Sequence, residues 1–316
     1  MKQSEPHLSV MSEEVLELLS PQDGLTYIDA TFGAGGHTRA ILTASQTCKV
    51  IGLDRDHNVK IFADKIRNDF PQRFEFINTK FSNIKSVIGS QRIDGILFDI
   101  GVSSMQINEP ERGFSFMKDG PLTMTMGENA ISAYDVVNGY REEKIAEILL
   151  KYGDERAAYK IAKAICHNRK KTPIKTTLQL AEIVREVVPR RGKIHPATLT
   201  FQALRVFVND ELKELETGLR DAIEGIAEGG KIVVITFQGL EDKIVKDIFK
   251  HYTHKTHTNK FKDKKENIKV FENLSRGTLK ASREEIRRNI RSRSAKIRGI
   301  SLEIDHDHKL QVFAQF

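Results

Sequence analysis

The stretch "YIDATFGAGGHTRAIL", Tyr27 to Leu42, decides how the rest of the chain is read. An apolar, β-branched run enters three closely spaced glycines, Gly33, Gly35 and Gly36, and leaves as a helix-like segment. Glycine lets a backbone approach a ligand closely, and a helix N-terminus offers unpaired N–H groups. Such a strand–turn–helix unit can hold a nucleotide, and the chemistry around the turn decides which one.

Working outward, further strand-like runs follow: "CKVIGLD" (Cys48–Asp54), "RFEFIN" (Arg73–Asn78) and "IDGILFD" (Ile93–Asp99), with room for a helix between each. This alternation predicts βαβ units and a parallel sheet. The next convincing strand, "KIVVITF" (Lys231–Phe237), comes about 130 residues after Asp99, far more than a βα crossover needs. A second domain is therefore expected between the fourth and fifth strands.

The insertion reads as helical. "REEKIAEILLKYG" puts Ile145, Ile148, Leu149 and Tyr152 on one face, and "TTLQLAEIVREVVP" opens with a Thr176–Gln179 capping-box spacing. From Thr198 the periodicity predicts one long helix carrying Leu204, Val208, Leu212, Leu215, Leu219 and Ile223 up to Gly229. After the helical "LEDKIVKDIFKHY", the strings "KIRGISLEI" and "KLQVFAQF" read as two more strands. The expected division is 1–106 and 216–316 for the sheet domain, with 107–215 inserted. The fold class is α/β.

Three acids fall at or near strand ends: Asp29, Asp54 and Asp99. Asp54 stands 21 residues after Gly33, near the usual place of an acid that holds a ribose diol. The turn lacks the third glycine of G-x-G-x-x-G, where Thr38 stands, and the Gly-Lys-Ser/Thr of a P-loop. A pyrophosphate would meet three carboxylates here. S-adenosylmethionine suits them better: its sulfonium is a cation, its ribose needs an acceptor, and its one carboxylate can be held by backbone N–H groups. Taken singly, each Asp serves equally well as a helix cap.

Charge and cysteine content bound the partners. The chain of 316 residues has a net charge of +7, and His251 to Ile300 holds 15 Lys and Arg against 5 Asp and Glu, which leaves the remainder at −3. A basic segment on a slightly acidic body points to a polyanion, although "THKTHTNKFKDKKEN" reads equally as a solvated loop. In "SREEIRRNIRSRSAKIR" six residues are Arg, which grips phosphate bidentately. Two cysteines, Cys48 and Cys166, form neither a disulfide framework nor a metal-ligand pattern. With no eighteen-residue apolar stretch and no signal-like h-region at the start, the expectation is a cytoplasmic protein without a membrane span or a metal.

At "DGILFDIGVSSMQINEPERGFSFMKDGPL" the chain resembles one family, the RsmH (formerly MraW) methyltransferases of small-subunit ribosomal RNA. The resemblance continues in "DATFGAGGHT", "YGDERAAYKIAKAI", "HPATLTFQALRVFVNDELKELE" and "RSRSAKIR", from His7 to about Arg298. It implies a Rossmann-like class I methyltransferase sheet and transfer of a methyl group from S-adenosylmethionine to the exocyclic N4 of a decoding-centre cytosine. It implies donor contacts at Gly35, Gly36, His37, Asp54, Phe81, Asp99 and Gln106, beside Gly33. Asp99 is the leading catalytic candidate, with Ser103 and Ser104 behind it. Arg112, Phe114, Arg205, Arg291 and Arg293 are candidates for holding RNA. The helix face of Gln202, Arg205 and Asn209 could line the substrate site or only stitch the insertion together.

The expected partner is small-subunit rRNA in an assembled or near-assembled subunit, bound by a monomer or homodimer. The chain departs from the family at "GPLTMTMG", where Thr123 and Thr125 replace an acid and a base, and at "FQGLEDK", where Gln238 and Gly239 replace His and Ser. These departures leave room for another RNA, a protein amine, or a non-catalytic assembly factor.

Overall fold

The computed structural model describes residues 9–127, 131–189, 194–253 and 270–303. Strands β1 (Thr26–Asp29), β2 (Lys49–Asp54), β3 (Phe74–Asn78), β4 (Gly95–Asp99) and β5 (Lys231–Thr236) pair in parallel in the order β3-β2-β1-β4-β5. Among the described residues three further strands extend the sheet: β6 (Phe271–Asn273), β7 (Leu279–Lys280) and β8 (Lys296–Leu302). β8 runs antiparallel to β5, and β6 and β7 pair with β8. This is the open α/β, Rossmann-like sheet with an antiparallel edge, and strand order reverses at β1.

The chain divides into two compact units. One comprises the residues up to Gly101 and those from Glu214 on; the other is Val102–Lys213. In the sheet unit, Ile28, Ile51, Leu53, Ile96, Phe98, Ile232 and Val234 pack on Leu215, Leu219 and Ile223. Both sheet faces are covered, which is why these strands read as continuous apolar runs rather than alternating ones.

The second unit is helical, with helices at Ser104–Asn108, Ala133–Gly139, Glu142–Gly153, Ala158–Arg169, Thr177–Val187 and Thr198–Val208. Ile145, Ile148 and Leu149 are fully buried with Ile161, Ile165, Leu180, Phe201 and Leu204. Thr176 and Gln179 form the reciprocal capping box that their spacing implies.

The structure corrects two sequence expectations. The long helix from Thr198 is two helices, Thr198–Val208 and Glu211–Gly225, separated by a turn in which Asp210 has φ 52°. Asn209 closes the first helix, its N–H still donating to the Arg205 carbonyl at 3.1 Å, and its buried side chain fastens that end by accepting from the Met126 N–H at 2.8 Å and donating to the Met124 carbonyl at 2.7 Å. The basic region after His251 also holds β6, β7 and a helix, Arg283–Arg288, that its charge concealed. Most of "THKTHTNKFKDKKEN" and all of "KLQVFAQF" lie outside the described residues.

Candidate functional site

The sheet's parallel strands end on one edge, and three carboxylates sit there. Asp29, Asp54 and Asp99 close β1, β2 and β4, which are neighbours in the order β2-β1-β4. The loop after β1 is strapped across that edge. The Phe32 N–H donates to the Leu53 carbonyl of β2 at 2.8 Å, and the Thr31 hydroxyl accepts from the Asp99 N–H of β4 at 2.6 Å. The Phe32 ring stacks on Phe74 with centroids 5.4 Å apart, which anchors the turn over β2 and β3.

That anchoring dictates the glycines. Gly33 and Gly35 have φ of 53° and 77°, and a Cβ on Gly35 would stand 2.8 Å from the Phe32 ring. A side chain at Gly35 would strain the backbone and dislodge Phe32. The helix Gly36–Ala44 then begins without a side-chain cap, so no capping side chain takes up its first N–H groups.

Each acid has its own surroundings. Asp29 is buried and accepts from the Thr38 hydroxyl at 2.7 Å and the Thr31 N–H at 3.2 Å; burial raises its carboxyl above the ordinary range. It is the innermost of the three and organises the turn. Asp54 accepts one N–H on each oxygen, from Gly33 and from Asp56, both at 2.8 Å. Each oxygen keeps a further lone pair, which suits two hydroxyls of a diol. Burial pushes the Asp54 carboxyl up to about 6, against the lowering effect of the Asp56 and Gly33 N–H bonds.

Asp99 is the acid with a free oxygen: its Oδ1 has no hydrogen-bond partner among the described residues. Its Oδ2 lies 3.6 Å from Nε2 of His37, a buried ring whose nitrogens make no hydrogen bond there. Burial pulls the His37 pKa down, but the Asp99 and Asp29 carboxylates outweigh it and leave it raised. Arg291 also feels the Asp99 charge, while its own burial lowers its pKa. The structure thus gathers Asp99, His37 and Arg291 from positions far apart in sequence.

Phe81 opens a short 3-10 turn, Phe81–Asn83, just beyond β3, with its ring edge-on to Phe98 at 5.7 Å. Gly218 allows this, since a Cβ there would sit 2.8 Å from the Phe81 ring. Its position past a strand's carboxyl end is the signal that residue-by-residue reading overlooked.

Apart from Arg293, the other candidates belong to the second unit. The Ser103 hydroxyl accepts from the Gln106 N–H at 3.3 Å, while the Gln106 side chain accepts from the Ser103 N–H at 2.9 Å. The pair is a capping box for the helix that begins at Ser104. Arg112 donates to the Thr125 carbonyl and lies over the Phe114 ring, 5.8 Å from its centroid; the Thr123 hydroxyl donates to the Arg112 carbonyl. Of the two threonines that depart from the family pattern, Thr123 therefore holds the loop around Arg112 through its side chain, whereas Thr125 takes part only through its backbone carbonyl. Gln202 donates to the Tyr152 carbonyl at 3.5 Å, and Asn209 holds Met124 and Met126. That face stitches the unit together.

Arg205, Lys296 and Arg298 are each held by a carboxylate. Arg205 makes a bidentate ion pair with Glu211, both contacts 2.8 Å, with both side chains largely buried. Lys296 and Arg298 on β8 hold Asp242 at 3.0 and 2.8 Å. Burial would raise the Asp242 carboxyl, yet Arg298 and Lys296 bring it below the usual range. Much of "RSRSAKIR" thus fastens β8 to the helix Gly239–Thr253, and Arg293 remains exposed. Gln238, at the end of β5, has a buried Oε1 without a hydrogen-bond partner among the described residues.

Among the described residues no group of three or more His, Cys, Asp or Glu side chains could hold a metal, and no helix is long and apolar enough to cross a membrane. The turn and its acids fit S-adenosylmethionine: open backbone N–H groups for a carboxylate, Asp54 for a diol, and surplus negative charge for a sulfonium.

Comparison with known proteins agrees with this reading. The sequence profile of the MraW methylase family matches residues 4–302. Ribosomal RNA small subunit methyltransferase H of Wolbachia sp. subsp. Drosophila simulans (strain wRi) is 50% identical over 299 residues, covering 93% of this chain and 98% of that protein. The protein of the same name from Ehrlichia canis (strain Jake) is 49% identical over 300 residues, covering 93% and 99%. Among solved structures, a putative methyltransferase from Streptococcus mutans in complex with SAH aligns over 93% of this chain and 99% of that one. Its TM-score is 0.44 at 11% identity, and the fold assignment rests on the strand order above rather than on it. On agreement that spans nearly its whole length, the chain belongs to the MraW methylase family.

Proposed function

We propose that this chain transfers a methyl group from S-adenosylmethionine to the exocyclic N4 of a cytosine in the decoding region of small-subunit ribosomal RNA. The observation that carries the reading is the set of three carboxylates on adjacent strand ends beneath an uncapped, glycine-opened helix start. Two relatives named as small-subunit rRNA methyltransferases, about half identical to this chain, support it.

S-adenosylmethionine supplies an electrophilic methyl carbon on a sulfonium cation. In this reading the N–H groups at Gly36 and His37 hold its carboxylate, while Gly35, whose own N–H donates to the Phe32 carbonyl at 2.8 Å, lets the backbone come close; Asp54 holds its ribose hydroxyls, and Phe81 packs against its base. Gln106 is a further donor contact. The cytosine amino group is a poor nucleophile because its lone pair is delocalised into the ring, so positioning carries much of the rate. As N4 bonds to the methyl carbon, the carbon–sulfur bond would break and leave neutral S-adenosylhomocysteine, while N4 gains positive charge and sheds a proton to water. Asp99, with an acceptor oxygen to spare, stabilises those N–H groups. Ser103, Ser104, Arg112, Phe114, Arg291 and Arg293 are proposed to contact the RNA, whose target base must be splayed from its stack. The setting is the cytoplasm, on an assembled or near-assembled subunit, with the chain acting as a monomer or homodimer.

The test is transfer of labelled methyl to small subunits and, separately, to naked small-subunit rRNA, each from cells lacking the enzyme. The reading expects label in RNA, with subunits the better substrate. Label in protein, or none despite donor binding, would overturn it.

The Asp54 environment adds a pH expectation. A ligand diol favours the ionised carboxylate, so the bound form has a lower pKa than the free value of about 6. Binding then releases a proton below that pH, and affinity falls as pH drops through 6, by at most about tenfold per unit. Titration calorimetry with S-adenosylhomocysteine should show a plateau above pH 6 and a decline below it. Asp54→Asn should bind weakly at every pH, and a wild-type affinity with no inflection near 6 would contradict the assigned role.

A further inference from the structure

Besides the stretch after His251, the chain has a second concentration of positive charge. Residues 156 to 181 hold seven Lys and Arg and no Asp or Glu. Together the two stretches carry +17, so everything else sums to −10. In the first stretch Lys296 and Arg298 are held by Asp242, and Arg291 is half-buried. The second is different. On the helix Ala158–Arg169 and its flanks, Arg156, Lys160, Lys163, His167 and Lys170 follow at spacings of four and three, which places them on one stripe. All are exposed, and none of the Lys and Arg among them pairs with a carboxylate among the described residues. Arg169, by contrast, is spent on the Val137 and Tyr140 carbonyls.

Tyr159 lies beside this stripe, within a helical turn of Arg156 and Lys163, and is 64% exposed. The helix buries its apolar side through Ala158, Ile161, Ala162 and Ile165, so the core has no claim on that ring. The first half of the stripe is where the aromatic and three cations stand together, Tyr159 among Arg156, Lys160 and Lys163.

We propose that Arg156, Tyr159, Lys160 and Lys163 form a docking surface for an unpaired RNA segment, the cations on successive phosphates and Tyr159 stacked on a base. Unpaired cations recruit polyanions, and an exposed aromatic among them favours single-stranded nucleic acid, whose base faces are open to stacking. The inference rests on the RNA-methyltransferase reading and names the part of the helical unit that grips the substrate.

The experiment is fluorescence anisotropy with a labelled hairpin RNA carrying the decoding-region cytosines in its loop, across a series of salt concentrations. It compares the full-length wild type, Tyr159→Ala, and the triple variant Arg156→Gln/Lys160→Gln/Lys163→Gln. Donor binding and methyl transfer to small subunits are measured on the same preparations, and circular dichroism confirms folding. The triple variant should lower the slope of log Kd against log salt by about 2, since each phosphate contact on a single strand contributes about 0.7. Tyr159→Ala should weaken binding about tenfold with the salt slope unchanged, as loss of one stacked base does. Donor affinity should stay at its wild-type value in both.

Wild-type RNA binding and slope in folded variants would overturn the surface, while a wild type that still methylates RNA would leave the functional reading standing. A wild type that binds RNA through this surface yet transfers no methyl would uphold the surface and sink the functional reading. A wild type that binds no RNA would overturn the surface, and it would overturn the functional reading as well only if methyl transfer to small subunits were also absent.

Discussion

Replacing Asp99 by alanine is expected to lower the rate of methyl transfer by at least about 10²-fold, the usual effect of removing a group aimed at charge that develops in a transition state. The argument is geometric. Asp99 closes β4 in the middle of the sheet, its N–H is fixed by Thr31, and one carboxylate oxygen has no partner among the described residues while the other faces His37. Asp29 and Asp54 each accept hydrogen bonds from the turn on both oxygens, whereas Asp99 Oδ1 accepts none among the described residues. Asp99→Asn should keep the packing and lose most of the rate. Single-turnover kinetics at saturating donor measures the effect, and a variant within a few-fold of wild type would reduce Asp99 to a strand-end residue.

The second large effect is on stability. Arg205→Ala would leave Glu211 without its bidentate partner where both side chains are largely buried, and such losses cost about 3–5 kcal/mol. Some exposure remains on the Arg205 side, so the lower end, about 3 kcal/mol, is expected. Chemical denaturation checks it. The sequence alone offers Arg205 as a phosphate-binding residue, and that role makes the opposite forecast: unchanged stability with weaker RNA binding. A double-mutant cycle with Glu211→Gln separates the two.

These residues also show what a linear reading can and cannot reach. The five parallel strands are legible because each is an apolar, β-branched run bounded by turn signals, and the inserted unit is legible as a gap too long for a crossover. The glycine turn and its three acids follow from strand ends that must share one edge in a parallel sheet. Asn209 is another matter. Apolar periodicity runs through it from Leu204 to Leu215, and neither the left-handed turn at Asp210 nor the bonds from Asn209 to Met124 and Met126, more than eighty positions away, are written in that periodicity.

Charge misleads in the same way. Lys296 and Arg298 look like phosphate ligands until Asp242 is placed beside them. β6 and β7, three and two residues long, hold too few side chains to show a period. The approach of His37 to Asp99 depends on the turn after β1 lying across the end of β4, which pairwise spacing does not encode.

The measurement that bears most directly on the whole account is the identity of the modified nucleoside. Small subunits from cells lacking the enzyme would be incubated with the chain and labelled S-adenosylmethionine, and their RNA digested and resolved by mass spectrometry. The account predicts label in N4-methylcytidine, lost with Asp99→Ala. Label in any other nucleoside, or in N4-methylcytidine undiminished by that substitution, would contradict it.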